Sequence, residues 1–184
     1  MNRGSNKVVF AVGRLNPPTK GHDVLVQQLV ETANRLGARP MLYIVDGAKS
    51  GQDKDKNPLT GEQRMVIARQ LFPGVDIDIV GSAYEALEVL DLQYLEPRAW
   101  IAGSDRAAKY RKLLAGEQLD CEVIEVDRNA GDADGVSATE ARRAALEGNM
   151  EEFAHHMPTR LQPNELADIA NMIREVNNGR TNQS

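Results

Sequence analysis

The sequence is poor in the features that would suit an oxidising compartment or a membrane. It has one cysteine, Cys121, among 184 residues, which excludes an internal disulfide framework and is typical of a reducing cytosol. No uninterrupted apolar run approaches the ~20 residues that cross a bilayer, and residues 1–7 lack the apolar region of a signal peptide. We therefore expect a cytoplasmic protein with no membrane segment.

The chain also lacks an excess of positive charge. Its net charge of -5 argues against an extended nucleic-acid-binding surface, although a local basic pocket is compatible with it. Hydrophobic residues at 41% and charged residues at 27% are ordinary for a globular protein. The length predicts one domain with a sizeable core rather than two very small domains.

Short apolar segments alternate with amphipathic ones along most of the chain. The segments that read as strands are residues 7–12, 40–45, 75–80, 98–102 and 121–126. The alternation predicts an α/β fold, a Rossmann-like doubly wound parallel five-stranded sheet with helices on both faces. The third strand alternates apolar and acidic residues, which places it near an edge of the sheet.

Two other segments of the chain have a helical or polar pattern. Residues 158–184 hold a last helix, over 164–177, whose apolar stripe needs a surface on the domain of residues 1–157 or on a partner, so a homo-oligomer is one possibility. In the third helix, over 82–95, we expect Ala86, Leu87, Leu90 and either Leu92 or Tyr94 to face the core. Residues 46–59 are long and polar, which indicates a mobile lid or a locally disordered loop.

The most informative segment is residues 13–22, Gly-Arg-Leu-Asn-Pro-Pro-Thr-Lys-Gly-His, between the first strand and the first helix. It brings Arg14, Lys20 and His22 to a helix N-terminus, where free amides and the helix dipole favour an anion. Gly21 would allow a ligand to approach the backbone closely. The alternative is a Pro-rich turn with Thr19 as an ordinary helix N-cap.

A second segment, residues 136–142, reads Val-Ser-Ala-Thr-Glu-Ala-Arg. Ser137 and Glu140 fit a capping box, which leaves Thr139 and Arg142 on the first helical turn unexplained. A third turn, at Gly103–Asp105, follows the fourth strand. Since ligands of doubly wound sheets bind at the carboxyl ends of the strands, these loops are expected to converge there.

These segments together resemble the nucleotidyltransferase superfamily with the His-x-Gly-His or Thr-x-Gly-His signature. Residues 19–22 match the second form, and residues 136–142 resemble the family's Ile-Ser-x-Thr-x-x-Arg motif position for position. Residues 13–17 and 57–64 are similar to the Gly-Arg-Phe-Gln-Pro and Asn-Pro-Phe-Thr-x-x-Glu-Arg segments of archaeal-type nicotinamide mononucleotide (NMN) adenylyltransferases. Thr19 also resembles the phosphopantetheine adenylyltransferase branch.

The resemblance implies a role for each matching residue. The catalytic set is His22, Lys20 and Arg142. The nucleotide-binding set is Gly13, Arg14, Thr19, Gly21, Gly103, Asp105, Ser137 and Thr139. The substrate-binding set is Asn16 and Arg64, although Arg64 could equally be a solvated helix residue. The sequence identifies no metal ligands.

The implied reaction is transfer of a nucleotidyl group from an NTP to a phosphorylated acceptor, with Mg²⁺ or another divalent cation and release of pyrophosphate. NMN and ATP giving NAD is the leading interpretation, and CTP with a phosphorylated alcohol or sugar is the closest alternative. A non-catalytic nucleotide-binding regulatory or assembly module is the alternative of another class. No Lys-Met-Ser-Lys-Ser segment is present, which argues against a class I aminoacyl-tRNA synthetase.

Other conspicuous residues are expected to be structural. Cys121 reads as a small core residue, and Trp100 as core or pocket wall. The pair His155–His156 lacks the spacing of a metal site and is expected on a surface helix. Residues 53–56 form a solvated charge run, from which Lys54 or Lys56 would reach phosphates if the loop is a lid.

Overall fold

The computed structural model describes residues 5–48 and 52–181, with the backbone alone for residues 179–181. Its sheet has five parallel strands in the order β3-β2-β1-β4-β5. The strands are β1 (Lys7–Gly13), β2 (Arg39–Val45), β3 (Asp76–Val80), β4 (Glu96–Gly103) and β5 (Glu122–Val126). The α-helices are α1 (Lys20–Leu36), α2 (Gly61–Leu71), α3 (Ala83–Leu92), α4 (Ala107–Gly116), α5 (Ala138–Glu147), α6 (Met150–His156) and α7 (Pro163–Thr181). The predicted Rossmann-like α/β fold is confirmed, with β3 at an edge.

Apolar residues alternate between the two faces of the sheet, because successive strand side chains point in opposite directions. In β1, Val9 and Ala11 join the core cluster that also includes buried residues of α1, α2, α5, α6 and α7. Val8, Phe10 and Val12 join the second cluster, beneath α3 and α4. Both faces are therefore covered, as the continuous apolar run of β1 predicts.

The order of the strands reverses next to β1. The chain runs outward from β1 through β2 to β3 and then returns to β4, which pairs with the other side of β1. The carboxyl ends of β1 and β4, at Gly13 and Gly103, thus flank the point where ligands bind in doubly wound sheets.

Helix α7 packs against its own chain. Ile169, Ala170 and Ile173 are buried in the same cluster as the residues of α5, and Arg174 donates a hydrogen bond to the carbonyl of Ala145. The stripe of the last helix therefore has a surface within this chain. No helix in the described ranges has both the length and the apolar character needed to cross a membrane.

Helix α3 is shorter than its sequence pattern indicates. It ends at Leu92, and Tyr94 adopts a left-handed conformation with φ of 56°. Leu92 and Tyr94 are 76% and 89% exposed, so the expectation that one of them faces the core is wrong. Leu92 follows the buried Leu90 by two residues, about 200° around the helix, and so points away from the core. Tyr94 lies beyond the helix, where the 3.6-residue period no longer determines which way a side chain points.

The polar stretch 46–59 is fixed at its carboxyl end. Residues 57–59 are buried, and Leu59 exchanges two hydrogen bonds with the side chain of Asn16. These three residues therefore pack against the rest of the protein, while residues 49–51 lie outside the described part of the chain.

Candidate nucleotide-binding site

Two adjoining cavities lie at the carboxyl edge of the sheet. The larger, of about 680 Å³, is lined by the ends of β1 and β2 and by the starts of α3, α4 and α5. The smaller, of about 530 Å³, lies between the start of α1, the Gly103–Asp105 turn and residues 126–129 and 136–138. His22, Asp105, Arg128 and Ala138 line both cavities. The predicted convergence of the loops after β1, β4 and β5 is confirmed.

The loop after β1 is held in place by its own buried side chain. Leu15 adopts a left-handed φ of 50°, which is uncommon for a residue other than glycine, and its side chain is buried in the core. A Cβ at Gly13 would lie 3.0 Å from Leu15 Cδ1. Packing therefore outweighs the backbone strain and leaves Arg14 exposed at the cavity wall.

Arg64 supports this loop from beneath. Its buried guanidinium donates hydrogen bonds to the carbonyls of Arg14 (2.6 Å) and Val45 (2.8 Å) and pairs with the Asp46 carboxylate at 2.9 Å. The Arg64 Nε also donates to the Thr60 carbonyl. Burial lowers the pKa of Arg64, which the Asp46 charge partly offsets. Arg64 is therefore not a solvated helix residue, and it fixes the position of the Arg14 backbone.

His22 is held in one tautomer by Thr19, the N-cap residue of α1. The backbone N–H of Thr19 donates to His22 Nδ1 at 2.9 Å, and the Thr19 hydroxyl lies 3.1 Å from the same nitrogen. Burial, and then the positive charge of Arg128, lower the pKa of His22 to about 3. The imidazole is consequently neutral at physiological pH, with Nδ1 as acceptor and the proton on Nε2.

Arg142 joins the helix α5 end of the site to the loop after β1. Its Nη1 donates to the carbonyl of Asn16 at 2.9 Å, and its Nη2 lies 3.3 Å from the Thr139 hydroxyl. Burial lowers the pKa of Arg142, and the nearby positive charge of Arg14 lowers it further. Two guanidinium groups that repel each other at one cavity wall favour an anionic ligand.

The start of α5 is capped differently from the sequence prediction. The Ser137 side chain accepts the N–H of Glu140 as expected, but the Ser137 N–H donates to His156 Nδ1 at 3.2 Å. Glu140 instead pairs with Arg143. His156 is 4% exposed, so its predicted place on the surface is wrong. A histidine 19 residues away replaces the second half of the capping box.

A family model described as cytidylyltransferase-like matches residues 10–144, which include both motifs, the carboxyl half of β1 and the other four strands. The chain belongs to the cytidylyltransferase-like family. No curated protein sequence matches it.

Solved structures similar to this cytidylyltransferase-like chain include nucleotide-binding enzymes. Plasmodium falciparum nicotinic acid mononucleotide adenylyltransferase, complexed with NaAD, is 12% identical with a TM-score of 0.59 over 93% of this chain and 96% of that one. A Vibrio parahaemolyticus protein described as a candidate nicotinate-nucleotide adenylyltransferase is 15% identical with a TM-score of 0.58, over 91% and 97%. Thermotoga maritima TmcAL, bound with α-thio ATP, is 16% identical with a TM-score of 0.60 over 95% of this chain and 57% of that one. At these identities the likeness establishes the fold.

The cavities of this cytidylyltransferase-like chain gather nine of the thirteen predicted site residues. Those that line the larger cavity, the smaller cavity or both are Gly13, Arg14, Asn16, Thr19, Gly21, His22, Asp105, Ser137 and Arg142. Four others do not line either cavity. The Gly103 carbonyl and the Thr139 hydroxyl hydrogen-bond to residues that do. Arg64 lies beneath the loop, and Lys20 lines a separate cavity beside Asp23 and residues 130–133.

Several cations at the site were missed by sequence reasoning. Arg106 and Lys109, at the start of α4, line the larger cavity with Lys56, and Arg128 lines both cavities. Arg106 directly follows the Gly103–Asp105 turn and Arg128 follows β5 by two residues, so their places after strand ends were a usable signal. Lys109 carried none, because its distance from the turn is set by how α4 leaves the sheet.

Proposed function

We propose that this chain transfers a nucleotidyl group from an NTP to the phosphate of a small acceptor, with ATP and NMN giving NAD and pyrophosphate as the leading reaction. One observation carries the proposal. A neutral, oriented His22 lies with Arg14 and Arg142 in a cavity that four further cations also line, namely Lys56, Arg106, Lys109 and Arg128. Although the net charge of the chain is -5, the larger cavity is lined by a group of cations that would bind a polyphosphate.

In the proposed step, an oxygen of the acceptor's phosphate attacks the α-phosphorus of the NTP. The bond between that phosphorus and the oxygen bridging to the β-phosphorus breaks, and pyrophosphate leaves with the electron pair. Such a transfer needs positioning and charge stabilisation more than a nucleophilic side chain. We assign His22 Nε2–H, Arg14 and Arg142 to the phosphate oxygens on which charge develops.

The tautomer of His22 supports a phosphate acceptor. Because Nδ1 accepts the Thr19 N–H, Nε2 carries the proton and serves as a donor rather than as a general base. A phosphate dianion attacks through an oxygen that has no proton to lose, so it needs no base. An acceptor that attacked through an alcohol would need one.

We propose that Mg²⁺ accompanies the NTP. No group of three or more His, Cys, Asp or Glu side chains is placed to hold a metal within the described ranges. Mg²⁺ in nucleotide sites commonly takes one or two carboxylates together with phosphate oxygens and water, and Asp53 and Asp105 are the carboxylates that line the larger cavity. The ion would neutralise charge on the leaving pyrophosphate.

Support for NMN comes from two segments and two structural neighbours. Residues 13–17 and 57–64 resemble segments of the archaeal-type enzymes. The two segments are joined beside the larger cavity by two hydrogen bonds between the Asn16 side chain and the Leu59 backbone. Two of the similar structures are described as enzymes of the nicotinate-nucleotide class. Cytidylyl transfer is the second candidate, favoured by the description of the family model.

The test is pyrophosphate release with ATP or CTP against NMN, nicotinate mononucleotide, phosphopantetheine and glycerol phosphate. We expect turnover with ATP and a pyridine mononucleotide, and product formation confirmed by mass spectrometry. Turnover only with CTP would select the second candidate. Saturable nucleotide binding without pyrophosphate from any pair would reject the enzymatic proposal in favour of a binding module.

A further inference from the structure

Arg128 lies at the boundary between the two cavities. It follows β5 by two residues, and its Nη2 is 2.9 Å from Oδ1 of Asp105. Its side chain is 36% exposed and that of Asp105 is 59% exposed. Among the described residues, Arg128 is the one lysine or arginine that lines the smaller cavity, whereas five others line the larger one with it.

Gly103 makes room for the Arg128 side chain. A Cβ at position 103 would lie 2.7 Å from Arg128 Nε and 2.8 Å from Asp105 Oδ1, distances at which a side chain has to move. The last residue of β4 therefore has no side chain at the place where the guanidinium crosses from β5 toward Asp105. The Asp105–Arg128 ion pair at the edge of the cleft therefore depends on glycine at position 103.

This placement separates the two kinds of surface that a nucleoside triphosphate needs. The larger cavity has the cations that suit phosphates, and the smaller has mainly backbone, hydroxyl and carboxylate groups, which suit a nucleoside. A nucleotide with its nucleoside in the smaller cavity and its phosphates in the larger one has to pass Arg128.

We propose that Arg128 is a further phosphate-binding residue, which releases Asp105 and donates to the α-phosphate when a nucleotide binds. The inference rests on the proposed function. The exchange costs little, because an exposed ion pair contributes little to stability, whereas an arginine donates to phosphate through stronger, bidentate hydrogen bonds. Arg128 also contributes to the low pKa of His22, so its field reaches the group assigned to the same phosphates.

The first test compares Arg128→Gln with Arg111→Gln. Arg111 pairs with Glu125 at 2.8 Å, its side chain is 51% exposed, and it lines neither cavity, so each variant loses one solvent-accessible ion pair. Isothermal titration calorimetry of the full chain would use ATP, CTP, inorganic tripolyphosphate and the nucleosides adenosine and cytidine. We expect Arg128→Gln to weaken the phosphate-bearing probes by about 10- to 100-fold and to leave the nucleosides unchanged, with Arg111→Gln unchanged throughout.

A second pair of variants displaces Arg128 without removing it. Gly103→Ala would push the guanidinium away, whereas a Cβ at Gly116 would meet no atom within 4 Å, so Gly116→Ala is its control. We expect Gly103→Ala to weaken nucleotide binding in the same direction as Arg128→Gln. Thermal unfolding of each variant checks that it is folded.

The outcomes separate this inference from the proposed function. Unchanged affinity of Arg128→Gln for all phosphate-bearing probes would overturn the inference. Equal weakening of nucleoside and nucleotide binding would also overturn it, because the Asp105–Arg128 ion pair would then have only a structural role. A wild-type chain that binds nucleotides through Arg128 but releases no pyrophosphate would reject the proposed function alone. Failure of the wild type to bind any phosphate-bearing probe would overturn both.

Discussion

At the scale of single residues, the site contains a histidine whose protonation state and orientation are fixed by its surroundings. His22 is neutral because burial opposes its charged form and because Thr19 donates to Nδ1. The arrangement pre-organises one donor, Nε2–H, before any ligand arrives. Pre-organised donors act most strongly when charge develops beside them in the transition state.

We predict that His22→Ala lowers the rate of the transfer step by roughly 10²–10³-fold, as loss of a pre-organised donor does. Pyrophosphate release under saturating substrates would measure the loss. His22→Gln, which can retain a donor, is expected to recover part of the rate. A folded His22→Ala variant with wild-type turnover would contradict the assigned role.

The same residue makes a separate prediction for the ligand-free protein. Because the folded pKa of His22 is about 3 and the unfolded value is near 6.5, the unfolded chain binds the proton more tightly. This contribution to stability is complete above pH 6.5 and is lost progressively as the pH falls toward 3. The ¹⁵N chemical shifts of the His22 ring should keep their neutral values from pH 8 to pH 5, and a titration near pH 6.5 would refute the burial argument.

At the scale of helices and loops, two side chains distant in sequence hold the loops at the candidate site. Arg64 from α2 holds the loop after β1, and His156 from α6 holds the start of α5. Neither needs to contact a ligand to matter, because a shift of about 1 Å in a positioned group can cost 10²-fold in rate.

We predict that Arg64→Gln destabilises the protein by about 3 kcal/mol, at the lower end for a broken buried ion pair because Asp46 retains solvent contact. The carbonyls of Arg14 and Val45 would lose their donor, and Asp46 would lose its cation. Arg69, exposed on the same helix, supplies the control, and Arg69→Gln should lie within about 0.5 kcal/mol of wild type. Urea unfolding would measure both, and equal effects would argue against the supporting role.

We predict that His156→Ala costs about 1–3 kcal/mol, since it leaves the Ser137 N–H without its acceptor. His155 is exposed beside it, so His155→Ala should be nearly neutral, and His156→Asn should recover part of the loss through its side-chain oxygen. Burial lowers the pKa of His156, so this contribution fades as the pH falls below about 6.5. Urea unfolding at pH 7.5 and pH 5.5 would show whether the gap between wild type and His156→Ala narrows.

At the scale of the whole molecule, an acidic chain presents one cation-rich cleft. The net charge is -5, yet six lysines and arginines line the larger cavity. Such a distribution focuses a positive potential on one edge of the sheet and leaves the remaining surface acidic.

We predict that ATP with Mg²⁺ raises the midpoint of thermal unfolding by about 5–10 °C at a concentration near 100 times its dissociation constant. The shift should shrink as NaCl is added, because salt screens the phosphate contacts. Adenosine at the same concentration is the control and should give a smaller shift. Equal shifts with adenosine and ATP would mean that the cations do not bind the phosphates.

The sequence was sufficient for what depends on local pattern. Periodicity predicted the strands and the edge position of β3, and the geometry of parallel sheets predicted that three loops meet at one sheet edge. The alternation of strands and helices did not predict the order of the strands in the sheet. Pattern failed at the end of α3, where Leu92 lies on the side of the helix opposite Leu90 and Tyr94, in a left-handed conformation, lies beyond the helix.

The sequence by itself determined which side chains follow the strands, and it predicted that His22, Arg14 and Arg142 belong to one site; all three line the larger cavity. Only the tertiary structure decided which polar side chains bind other groups of the protein and are not available to a ligand. Arg64 and His156 bind backbone groups on loops 50 and 19 residues away, and Arg128 divides the cleft. The reason is physical, because the partner of a buried donor or acceptor is set by packing between distant segments, which local periodicity does not encode.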